Sequence, residues 1–197
     1  MDKFRHKYRI ESTRLQNWDY GWDGVYFITI CTNNRTSFFG NIANGKMILS
    51  EIGLLAKKFW LEIPDHFSFV SLNSFCVMPN HVHGILTFIK NEKNDETFTC
   101  DRIVETRHCL VSTTTDKLNV EKSPGQIRYQ NQGRNTLSSV VGSYKSVVSK
   151  NAHNIMTGFK WQERFYDRLI QDNDSFNRIC HYIQNNPKNW EDDDLYI

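Results

Sequence analysis

The chain has 197 residues, 39% of them hydrophobic and 13% aromatic, with 4 Pro, 10 Gly and a formal net charge of +2. Length and aromatic content suit one domain with its own core and exclude wholesale disorder, and no apolar run approaches the ~20 residues that span a bilayer. Five cysteines, an odd number with no C-x-x-C pair, fit neither a disulfide framework nor a Cys-based zinc site. With an N-terminus that lacks a secretory apolar stretch, they make a reducing cytoplasm the expected compartment.

The charge is uneven. Glu191, Asp192, Asp193 and Asp194 form an acidic tail within residues 190–197, and without those four charges the net +2 becomes +6. An N-terminal arm, residues 1–20, carries Lys3, Arg5, Lys7, Arg9 and Arg14 against Glu11 in its segment 3–14. Such a cluster suits phosphate, and a solvated arm without a partner has the same composition.

In chain order, residues 25–32 are β-branched and aromatic and read as a buried strand. Asn44-Gly45 marks a two-residue hairpin turn before Lys46-Met47-Ile48-Leu49. Ser50 is an N-cap for a helix with Ile52, Leu55, Ala56, Phe59 and Ile63 on one face, and Pro64 should stop it. Residues 69–78 and 81–89 form two strands, antiparallel because only Pro79-Asn80 separates them. Residues 90–135, rich in Asn, Thr, Gln and charge, read as an insertion, since ordinary connections are much shorter.

Helical periodicity returns after Thr136, with Leu137, Val140, Val141, Tyr144, Val147 and Val148 on one stripe. Residues 164–170 give a fourth strand. A last helix starts near Asp174-Ser175, turns Phe176, Ile179, Cys180 and Ile183 inward, and ends at Asn186 before Pro187. Strand, helix, strand, strand, helix, strand and a final helix make an α+β, ferredoxin-like split βαβ domain with a central antiparallel sheet, an appended C-terminal helix and a long insertion. The whole of 1–197 reads as this single domain.

Two clusters carry chemistry. In Met78-Pro79-Asn80-His81-Val82-His83-Gly84, strand alternation puts His81 and His83 on one face and Val82 on the other. Two imidazoles so placed suit one metal ion, or two ordinary hydrogen-bonded histidines. No Asp two residues after His83, and no Glu three to six after it, supplies the third ligand of hydrolase or cupin patterns. In His181-Tyr182-Ile183-Gln184-Asn185-Asn186-Pro187, at about 100° per residue, Tyr182 and Asn186 stack one turn apart beside the inward stripe. A Tyr capping the core and an Asn closing the helix fit the same spacing. Tyr166, beside Asp167 on the fourth strand, is a rival nucleophile without a ligand partner four residues on, and Tyr144 belongs to a core face.

M-P-N-H-V-H-G, W-Q-E-R-F-Y-D at 161–167 and H-Y-I-Q-N-N-P at 181–187, in this order, resemble the single-tyrosine HUH transposases, and within them the REP-associated tyrosine transposases. The likeness runs from about Tyr20 to Asp192 and is weakest over 90–135. The resemblance implies cleavage and strand transfer of single-stranded DNA at hairpins or imperfect palindromes, through a covalent 5′-phosphotyrosine. It implies His81, His83 and Asn186 as ligands of a divalent metal, Mg²⁺ or Mn²⁺, and Tyr182 as nucleophile. Imidazole and amide ligands alone would suit other divalent metals too. The family includes both monomers and homodimers, and its members would sit on the bacterial nucleoid when bound to DNA. The alternative is a domesticated single-stranded DNA-binding protein that keeps the fold without transposition. RNA binding on the sheet is disfavoured, because no aromatic-rich RNP motif is present.

Overall fold

A computed structural model of the chain describes residues 18–90 and 135–196, with the backbone of 3–4 and 7–8. The basic residues Arg5, Arg9 and Arg14 and nearly all of the insertion lie outside the described residues, and of Lys7 only the backbone is described, in a short antiparallel pair of β1 (Lys3–Phe4) with β2 (Lys7–Tyr8).

The central sheet has four strands: β3 (Gly24–Cys31), β6 (Val70–Val77), β7 (His81–Phe88) and β8 (Tyr166–Ile170). Their spatial order is β6-β7-β3-β8, and every neighbouring pair is antiparallel. This is the order of the split βαβ plan expected from the sequence. The apolar run of β3 and the eight residues of β7 are buried on both faces, so these central strands read as nearly continuous hydrophobic segments.

One face is covered by α1 (Glu51–Leu61) and α3 (Leu137–Ala152). Ile52, Ala56 and Trp60 from α1 and Leu137, Val140, Val141, Tyr144 and Val148 from α3 pack on Tyr26, Ile28, Ile30, Val82 and Leu86. Both caps follow their side chains: Ser50 Oγ accepts from Gly53 N at 3.1 Å, and Thr136 forms a capping box with Ser139. The β4 (Gly40–Ala43) and β5 (Lys46–Leu49) hairpin turns at Asn44 and Gly45, whose φ of 53° and 68° supply the left-handed pair a two-residue turn needs.

The opposite face takes α4 (Asn173–Asn185), with Phe176 and Ile183 against Val25, Phe27, Ile85 and Ile170. Two boundaries differ from the sequence reading. Pro64 does not end helical structure; α1 stops at Leu61, and α2 (Ile63–His66) follows with Pro64 in its first turn, where its missing N–H costs nothing. The cap of the last helix is Asp172, because its Oδ1 accepts from Ser175 N at 2.6 Å.

Candidate metal and nucleophile site

The site lies on the α4 face, at the end of β7 that leaves the Pro79-Asn80 turn. Pairing sets His81 opposite Cys31 and His83 opposite Thr29. Val82 between them belongs to the core of the other face, so the two imidazoles point together toward α4, with ring centroids 4.3 Å apart. Both are buried.

Each ring is held by one nitrogen. Asn80 Nδ2 donates to Leu195 O at 2.8 Å, which turns its carboxamide oxygen toward the His81 Nδ1, also at 2.8 Å. His81 therefore donates from Nδ1 and keeps a lone pair on Nε2, which is buried and has no hydrogen-bond partner. His83 Nδ1 is hydrogen-bonded to Thr29 Oγ1 at 2.8 Å, and its Nε2 lies 3.1 Å from Tyr182 Oη. Burial holds both imidazoles neutral: that of His83 is pushed down to about 4, and that of His81 well below its ordinary value, with the neighbouring His83 and Arg35 acting in the same direction.

Helix α4 carries Tyr182 and Asn186 to the same point. The Tyr182 hydroxyl donates to Asp193 Oδ2 at 3.1 Å, and Asn186 Nδ2 donates to that same oxygen at 2.6 Å. Asn186 is buried and its Oδ1 has no partner, whereas Tyr182 is 43% exposed, so the phenol is open to a large substrate. Partial burial, then the Asp193 charge, raises the Tyr182 hydroxyl above its ordinary value.

Thus His81, His83, Tyr182 and Asn186, singled out from the sequence, meet in one place within one chain. Tyr144 sits in the core with its hydroxyl on Ala56 O at 3.1 Å. Tyr166 projects from β8 toward Phe27, with ring centroids 6.4 Å apart.

Sequence reasoning missed Asp193. After α4 the chain turns back across the site: Trp190 packs on His81 with centroids 5.9 Å apart, Arg35 Nη1 donates to Asp194 O at 2.9 Å, and Asp193 Oδ1 accepts from Leu195 N at 2.7 Å. Ligand atoms of His81, His83 and Asp193 all lie within 4.8 Å of one another. Two neutral imidazoles, a carboxylate and a buried amide oxygen with no partner make a donor set that fits a divalent cation. Asn80 and Thr29 were also missed. They hold the ring nitrogens that face away, as outer partners of metal-binding histidines commonly do.

Fold and site together define an α+β protein with a central antiparallel sheet and a His-His-Asp group able to hold a metal. The chain belongs to the family of an uncharacterized protein of Haemophilus influenzae, to which it is 34% identical over 187 residues, 94% of this chain and 92% of that one. No family model matches it. Among solved structures its fold is similar to that of a REP-associated tyrosine transposase bound to a REP hairpin, with a TM-score of 0.53 and 14% identity over 90% of this chain and 73% of the other. Among the described residues, no helix is long and apolar enough to cross a membrane.

Proposed function

We propose that this protein cleaves single-stranded DNA at hairpin or palindromic sites and transfers the strand through a covalent 5′-phosphotyrosine on Tyr182, as a transposase of the single-tyrosine HUH class. The observation that carries the reading is the convergence of a half-exposed phenol with two buried, neutral histidines: Tyr182 Oη lies 3.1 Å from His83 Nε2 and 3.1 Å from Asp193 Oδ2. The likeness of fold to a hairpin-bound transposase supports it.

In this reading His81 and His83 hold a divalent cation, Mg²⁺ or Mn²⁺, together with the Asp193 carboxylate and the Asn186 amide oxygen. When bound, that ion supplies neutralisation and polarisation of the phosphate oxygens. The chain's own residues do the rest. Asn80 fixes His81 with its lone pair inward, and Thr29 orients His83. Asp193 accepts the Tyr182 hydroxyl hydrogen bond, and it takes the phenol proton as the Tyr182 oxygen bonds to phosphorus. The bond from phosphorus to the 3′ oxygen breaks, and the proton that Asp193 took passes to that oxygen, which leaves as a 3′ hydroxyl. The basic arm, with Arg5, Lys7, Arg9 and Arg14, contributes phosphate contacts outside this centre.

The test is a hairpin-bearing oligonucleotide labelled on the 3′ side of the nick. With Mn²⁺ or Mg²⁺ the parent protein should give a labelled band that survives denaturation, and Tyr182→Phe, which removes one oxygen, should give none while still binding the DNA. A band of equal strength from Tyr182→Phe, lost in Tyr166→Phe, would move the nucleophile to β8. Tight binding with no band at all would leave the DNA-binding module as the better reading.

A further inference from the structure

We propose that Tyr166 is a stacking platform for a base next to the scissile phosphate, with Arg168 beside it for the adjoining phosphate; this rests on single-stranded DNA being the substrate. Strand β8 is at an edge of the sheet. Its register sets Tyr166 opposite Thr29 and Arg168 opposite Phe27, so both side chains share the face that carries His81, His83 and α4. Thr29 is also the residue opposite His83. One row across the sheet therefore runs His83, Thr29, Tyr166, with neighbouring strands about 4.8 Å apart.

Phe27 links the two ends of this arrangement. Its ring is stacked on His83 at 5.4 Å and meets both Tyr182 and Tyr166 edge to face at 6.4 Å. The outer part of that row is open: Tyr166 is 46% exposed, and Arg168 is exposed. The buried Phe27 meets the inner side of the Tyr166 ring edge to face. An exposed aromatic ring that shares Phe27 with the nucleophile, with a guanidinium two residues along the same strand face, is the chemistry that receives an unpaired nucleotide. Any base has a π-face to stack, and arginine matches its phosphate.

The ring and the hydroxyl of Tyr166 make separable demands. A stacking role needs the ring, so Tyr166→Phe should behave as the parent and Tyr166→Ala should not. The experiment uses the full chain carrying Tyr182→Phe, which keeps the strand intact, and a hairpin-bearing oligonucleotide with a fluorescent aminopurine at the base on either side of the nick in turn. Stacking should quench the fluorescence at one of the two positions. Tyr166→Phe should keep both quench and affinity, and Tyr166→Ala should lose the quench and bind about 5- to 150-fold more weakly. An unchanged unfolding midpoint in Tyr166→Ala would confirm that the loss is one of contact. Arg168→Gln should flatten the dependence of log affinity on log salt by about 0.7, one phosphate contact on a single strand.

Equal quench and affinity in Tyr166→Ala would overturn the platform, and an unchanged salt slope in Arg168→Gln would remove the phosphate contact. The labelled band from the Tyr182 parent separates this inference from the catalytic reading. A band with no Tyr166-dependent quench sinks only the platform, and a Tyr166-dependent quench with no band upholds the platform and sinks the catalysis.

Discussion

At the scale of residues, the two histidines are set by atoms that carry no charge. Asn80 holds His81 in the tautomer that leaves Nε2 free, and its own orientation is set by the Leu195 carbonyl. Asn80→Ala should therefore lower affinity for Mn²⁺ about 10- to 100-fold, read by calorimetric titration, with the fold retained. Buried histidines also set an acid limit. In the unfolded chain His83 protonates near 6.5, whereas in the folded protein burial delays this to about 4. Between those values the unfolded state binds more protons, so this contribution to stability is complete above 6.5 and is lost as pH falls toward 4, amounting to about 3 kcal/mol in full. Metal-free protein should show its unfolding midpoint dropping across that window, and His83→Gln should drop less. Of this site, the shared face of His81 and His83 and the stacking of Tyr182 with Asn186 were legible from local periods of two and of four, while their roles came only with the resemblance. Asp193 was not legible. In the sequence it is one acid among four, and only the reversal of the chain after α4, fixed by Trp190 on His81, separates it from its neighbours.

At the scale of elements, the glycine that ends the M-P-N-H-V-H-G run serves the opposite face from the histidines. A Cβ on Gly84 would come within 2.1 Å of the Trp60 ring. That ring cannot give way: it is fully buried, with Phe75 stacked at 5.8 Å and Tyr144 edge-on at 5.3 Å. Gly84→Ala should cost about 1–3 kcal/mol by overpacking, measured by chemical denaturation. The same contact explains a shift in α1. Periodicity put Leu55 and Phe59 on its inner face, but these are only half-buried. The helix is rotated toward Trp60, which fills the space that Gly84 leaves. A helical period locates a stripe, and which edge of it goes deepest depends on a hole in another element.

At the scale of the whole molecule, the segment between β7 and α3 leaves and returns through one place. Lys90 Nζ donates to both Gly21 O and Asn135 O, and Lys90 N donates to Asp23 Oδ1 at 2.9 Å. The two ends of the insertion are thus joined by the domain itself, at the far end of β7 from His81. Replacing residues 91–134 with about six Gly and Ser should leave metal binding intact. A loss of metal affinity would mean that the insertion reaches the site.

The placement of β7 between two packed layers also decides which genetic changes the site tolerates. Each step of one residue along the strand exchanges the two faces, and here one face holds His81 and His83 while the other holds Val82 and Gly84 in the core. Point substitutions in the turn at Pro79-Asn80 leave that alternation intact, even where, as at Asn80, they loosen the hold on His81. Losing or gaining a single codon there would drive both imidazoles into the apolar layer under Trp60 and present valine to the nucleophile. In a lineage of such chains, the spacing from this turn to the histidines is expected to vary less than the identity of the residues around it.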